Sequence, residues 1–140
     1  MRNKLLNRTA LLIFIIFGVN VIAGKFYWYS TIWWFDMPMH FLGGIWLGLA
    51  SVWVYFFRRK GDMPRITVSK IVRIALVTSL VVGFGWELYE YAVQMIIPGA
   101  EIASPLDSLS DLFFDTAGGL VAALYIVSHI SFTEKEQSTI

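Results

Sequence analysis

Five carboxylates and one histidine hold the most suggestive chemistry in this sequence. Asp36 and His40 are four residues apart, Glu87 and Glu90 three apart, and Asp111 and Asp115 four apart. On a helix each of these pairs shares a face, and Gln94 extends the Glu87–Glu90 face by one more turn. All six residues lie in or beside strongly apolar stretches. A carboxylate in mid-membrane costs on the order of 2.5–3.5 kcal/mol, so five of them cannot all be ionised in a dry site. Either some are protonated, or a cation binds among them, or the site is a wet cavity. Carboxylates with one histidine suit hard or borderline divalent ions such as Mg, Ca, Mn or Zn. The possible metal set is therefore Asp36, His40, Glu87, Glu90, Asp111 and Asp115. A metal there could activate water for hydrolysis, with Glu87 or Glu90 as candidate general base. The di-iron bundle pattern wants Glu-x-x-His on two helices and is not met. Without a metal, the same groups suit a cationic headgroup or a proton relay. Cysteine is absent, which excludes disulfides, thiolate metal sites and cysteine nucleophiles.

Blander roles compete at several positions. Asp107 is expected to cap the last helix, and Asp111 could complement the same N-terminal dipole. Asp36 is either a helix cap or a site residue, and His40 is either a ligand or the hydrogen-bond partner that makes Asp36 tolerable. Glu87, Glu90 and Asp115 lie too far inside their stretches to cap anything. His129 is expected to meet the last carbonyls of its own helix. Asn20 either joins the polar interior or bonds to a neighbouring helix.

The elements that must position these groups are four long apolar runs. Of 140 residues, 57% are hydrophobic, 16% aromatic and 15% charged, far more apolar than a soluble domain needs. Runs at about 9–28, 37–57, 71–97 and 109–132 approach or exceed the roughly 20 residues that cross a bilayer core. The first does so only by extending into the aromatic residues after Lys25. Backbone groups in lipid must be satisfied within the segment, which favours helices over open strands. The expected fold is all-α, an integral membrane bundle of four transmembrane helices in one domain over 1–140. Ten of the eleven basic residues, all but Lys25, fall at the N-terminus, between the second and third runs (Arg58 to Arg73), or after the fourth. By the positive-inside bias both termini are cytoplasmic. The opposite side carries Phe26, Tyr27, Trp28, Tyr29, Trp33, Trp34 and Phe35, an expected interfacial belt, and also the acidic set. A signal peptide ending at Ala23 is the alternative reading of the first run.

Gly61–Pro64 reads as a turn, and Pro98-Gly99 as the end of the third helix. Ser104–Asp107 and Ser108–Asp111 both match a capping box, giving the fourth helix two possible starts. The tail from Thr133 reads as frayed. Small residues continue each acidic face: Gly43, Gly44, Gly48 and Ser51 after His40; Gly83 before Glu87; Gly118, Gly119 and Ala122 after Asp115. They allow close helix approach and point the acids inward, although the G-x-x-x-G at Gly44 and Gly48 could equally serve a homo-oligomer.

The segments D-M-P-M-H-F-L-G-G at 36–44, G-W-E-L-Y-E at 85–90 and D-S-L-S-D-L-F-F-D-T-A-G-G at 107–119 resemble the YjdF-like and VanZ-like small bacterial membrane proteins. The paired glutamates after tryptophan are more similar to the YjdF-like group. VanZ-like patterns carry an asparagine near the last glycine, where Asp115 and Thr116 stand here. The resemblance implies a bacterial cytoplasmic membrane and supplies no reaction. Three functions remain open. One is an outward-side polar site for a cation or cationic envelope ligand. Another is a metal-dependent enzyme acting on a lipid or cell-wall precursor, and the third is a structural bundle with acids as interhelical glue. Membrane lipids are the expected partners; a net charge of +1 gives no reason to expect nucleic acid.

Overall fold

Length and hydropathy turn the four runs into helices. A computed structural model describes residues 2–57, 67–97 and 104–137. Its elements are α1 (Arg2–Lys25), the short α2 (Trp28–Thr31), α3 (Asp36–Phe57), α4 (Val68–Ile96) and α5 (Pro105–Gln137). Among the described residues there is no strand. Four helices are long and apolar enough to cross a membrane: Asn3–Lys25, Asp36–Phe56, Val68–Ile96 and Pro105–His129.

Several boundaries differ from the expected ones, each for a local reason. The first helix runs Arg2–Lys25 instead of 9–28. It reaches membrane-spanning length by extending toward the N-terminus, where Leu5 and Thr9 are buried, and not into the aromatics. Tyr27 stops it there with φ 57°, the left-handed region that a bulky residue rarely adopts. The Tyr27 carbonyl then accepts from the backbone N–H of Ser30 and of Thr31, and from both their hydroxyls, which closes the single turn of α2. Lys70 and Arg73 belong to the opening turns of α4 and not to a loop, because the Thr67 hydroxyl caps that helix by accepting from Lys70 N. Of the two possible starts of the last helix, the chain uses the earlier: Asp107 N donates to Ser104 Oγ at 3.2 Å, so the helix begins at Pro105 and not at 109. The last helix also continues to Gln137, where fraying from Thr133 was expected. The Gly61–Pro64 turn, Pro98-Gly99 and the basic residues from Arg58 to Arg65 lie outside the described residues.

The bundle is apolar outside, as a lipid-solvated protein should be. Large side chains such as Phe14, Phe17, Val81, Phe113 and Leu124 face outward. On α4 the buried positions are Ile71, Ala75, Ser79, Gly83 and Glu87, one every four residues. Helices α3, α4 and α5 all pack against one another, whereas α1 packs mainly on α3. Three levels follow along the bundle. One end is an apolar core that includes Leu49, Val52, Phe56, Ile71, Ala122 and Ile126. The middle is a waist of small residues. The other end holds the acids.

Close contact at the waist depends on missing side chains. A Cβ on Gly44 would strike the Asp115 backbone, one on Gly118 the Phe41 carbonyl, and one on Gly48 would lie 2.6 Å from Ala122 Cβ. Both glycines of the G-x-x-x-G pair are therefore used within the chain, between α3 and α5. Ser79 is the pivot: its hydroxyl donates to the Gly44 carbonyl at 3.2 Å and fills the space opposite Gly119.

Candidate functional site

Each acidic pair is carried into the bundle by its helix. Asp36 opens α3, with Pro38 in the first turn where its missing N–H costs nothing. One turn later His40 is buried. On α4 the four-residue stripe that packs Ala75, Ser79 and Gly83 inward ends on Glu87, which is 8% exposed. Glu90 follows one turn later, half-buried. On α5 Asp111 and Asp115 are 3% and 4% exposed, two turns and one turn before the Gly118-Gly119 contact with α3 and α4. Asp111 is thus not a cap of that helix. Asp107 sits exposed in its first turn, where Ser104 and not Asp107 supplies the capping side chain.

The three helices bring the groups together. His40 Nδ1 lies 3.3 Å from Asp115 Oδ2, both groups buried. With the Asp115 carboxylate accepting from Nδ1–H, the other ring nitrogen turns toward Asp36: Nε2 lies 3.6 Å from Asp36 Oδ1, beyond hydrogen-bond length. Gly83 makes room for this arrangement, since a Cβ there would collide with the Asp115 carboxylate. Two sets of potential ligand atoms fall within 4.8 Å of one another: Asp36, His40 and Asp111, and His40, Glu87 and Glu90. His40 belongs to both. Glu87 Oε1 is buried and has no hydrogen-bond partner among the described residues.

Beside the cluster lies a cavity of about 490 Å³. Ile16 and Asn20 of α1, Tyr29 of α2, and Trp46, Leu47, Val82 and Trp86 of α3 and α4 line it, and Asp36, His40, Glu90 and Asp115 reach it. The Tyr29 hydroxyl donates to Asn20 Oδ1 at 3.3 Å. Burial first, and then the Asp36 and Glu90 carboxylates, push that phenol above its ordinary pKa. Lys25 lies with its Nζ 5.8 Å from the centre of the Phe26 ring. His129 stays away from the acids: its Nδ1 is 2.9 Å from the Tyr125 carbonyl, and Arg8 approaches its Nε2 at 3.5 Å.

Sequence reasoning singled out Asp36, His40, Glu87, Glu90, Asp111 and Asp115, and the structure brings these residues near one another. Sequence reasoning missed Ser79, although the spacing Ser79–Gly83–Glu87 places it on the acidic face of α4. It also missed Trp46 and Trp86 as cavity walls, since an apolar aromatic on a membrane helix looks the same whether it faces lipid or a pocket.

A family model described as "predicted membrane protein (DUF2238)" matches residues 1–131. No curated protein and no solved structure matches the sequence. The chain belongs to the DUF2238 family of predicted membrane proteins.

Proposed function

We propose that this DUF2238 membrane protein binds a divalent cation at the acidic end of its bundle. The ligands come from Asp36, His40, Glu87, Glu90 and Asp111, and Asp115 orients the histidine. The observation that carries this reading is the buried, unpartnered Oε1 of Glu87 beside His40 and Glu90. Leaving such an atom unpaired is costly, and a cation ligand removes the cost. The spacing agrees: atoms that share one ion at about 2.0–2.6 Å cannot stand much more than ~5 Å apart, and within each of the two sets, Asp36–His40–Asp111 and His40–Glu87–Glu90, they lie within 4.8 Å. The Asp115–His40 contact is the carboxylate–histidine pairing that fixes a ligand's tautomer and raises its basicity. Oxygen ligands with a single imidazole favour Mn, Mg, Ca or Zn over softer ions.

The same proposal places the protein in a bacterial cytoplasmic membrane, with both termini in the cytoplasm and the acidic end outward. The support is the distribution of lysine and arginine and the motif resemblance to YjdF-like and VanZ-like proteins. A reporter fused after Ile140 reads cytoplasmic on this orientation; an external reading overturns it.

Metal analysis of purified full-length chain tests the site. About one divalent ion per chain is expected after equilibration with Mn²⁺, and Glu87→Gln should abolish it while helicity is retained. A wild-type chain that binds no divalent ion refutes the proposal. If Glu87→Gln instead destabilises the bundle in the absence of any metal, the acids are interhelical glue.

A further inference from the structure

The cavity beside the acidic cluster has a direction. Along each wall the polar residue lies outward of the apolar one: Asp36 and His40 before Leu47 on α3, Glu90 beyond Val82 on α4, and Asn20 beyond Ile16 on α1. From Asp36 to Leu47 the α3 wall covers ~16 Å of helix, so the change from polar to apolar runs along the bundle axis. That axis is the membrane normal for helices of spanning length. A phospholipid has the same gradient in the same direction, with a polar head at the interface and a chain toward the midplane.

The cavity is also accessible from the side. Helix α1 packs mainly on α3, with no comparable contact to α4. Val82 and Trp86, which form the α4 wall, remain 45% and 49% exposed. In a bilayer that opening meets acyl chains. The polar end adds the chemistry: Asp36, His40 and Glu90 both line the cavity and belong to the potential ligand sets. A cation held there would present its open coordination positions to the cavity. Two carboxylates at the outer end, Asp36 and Glu90, would repel a phosphate directly, so an anionic head can approach only through that cation.

We infer that the cavity binds one phospholipid from the side, with its phosphate on the cation held about His40 and an acyl chain along Ile16, Leu47 and Val82. This rests on the cation-binding reading and assigns the ligand class of the same site.

The test uses the full chain in detergent micelles, loaded with Mn²⁺ and offered palmitoyl-oleoyl-phosphatidylglycerol, with bound lipid counted by native mass spectrometry. Leu47→Trp and Val82→Trp fill the apolar wall at positions that belong to neither ligand set. Each should keep the wild-type manganese ratio, which also reports that the variant folds, and should weaken lipid binding by roughly tenfold or more. Removal of manganese with EDTA should weaken wild-type lipid binding to a similar degree. If both variants bind lipid as the wild type does, or if EDTA has no effect on it, the inference is wrong while the cation site stands. Inorganic phosphate is the competing source of the same head chemistry. If it binds the manganese form, and equally in Leu47→Trp, while lipid fails to displace it, free phosphate is the ligand and the inference falls. A wild-type chain without manganese removes the cation reading itself, and this inference with it.

Discussion

Gly44→Ala should damage both the packing and the acidic site. A Cβ at this position would lie against the Asp115 carbonyl oxygen, and 2.8 and 2.9 Å from the Asp115 C and Cα. All three are backbone atoms, so no side-chain rotation relieves the contact. Restoring carbon contacts near 3.5 Å requires α3 and α5 to separate by roughly 1 Å. Overpacking of this kind costs about 1–3 kcal/mol, and the alanine returns up to about 1 kcal/mol in helix propensity. The net loss is then ~0–3 kcal/mol, about 1.5 kcal/mol at mid-range. Gly85→Ala is the control, because its Cβ would meet nothing within 4 Å; it gains the propensity term without the clash. Equilibrium unfolding in mixed micelles, followed by circular dichroism, measures the difference. The same separation moves Asp115 away from His40, now 3.3 Å apart, so manganese affinity should fall in Gly44→Ala and hold in Gly85→Ala. If the two variants unfold at the same detergent fraction and bind manganese equally, α3 and α5 do not pack in this register.

Asp115→Asn should keep the ion but weaken its binding by about 10–100-fold, the usual effect of losing a carboxylate behind a ligating histidine; manganese titration followed by electron paramagnetic resonance reads this. Ser79→Ala should cost only on the order of 0.6 kcal/mol in the same unfolding assay, because the Gly44 carbonyl it bonds to lies within α3 and keeps its helical partner. Tyr29 has its phenol held above the unfolded value of 10.0. The unfolded chain therefore loses that proton first as pH rises, and stability should decline from about pH 10 upward. Tyr29→Phe should flatten this decline, as shown by unfolding at pH 9 and pH 11.

The four spans and the acidic constellation were legible because both follow from one-dimensional rules. Length and hydropathy reveal a span, and spacings of three and four reveal a shared face. Convergence of Asp36 and His40 with Glu87 and Asp115 followed from the alternating direction of consecutive spans. What escaped depended on contacts between helices. The extension of α1 past Arg8 and Lys4 could not be seen because polar residues there looked like a flank, whereas Leu5 and Thr9 are buried. That α1 packs mainly on α3 was equally hidden, since both its faces are apolar and only one meets protein. The cavity depends on that unequal packing. The left-handed Tyr27 had no signal at all, as glycine or asparagine is the usual occupant of that region.

The apolar level below the waist has a consequence for permeation. Phe56, Ile71 and Val52 are each 1% exposed, and Ala75 and Ala123 are 0%. Together they form a dry plug across the α3–α4–α5 junction, on the side of Ser79 away from the acids. The acidic end is accordingly a cul-de-sac. An ion bound there would face this apolar level among the described residues and would return by the way it came. On the cation-binding reading, such a bundle would hold an ion at one end and would not conduct it.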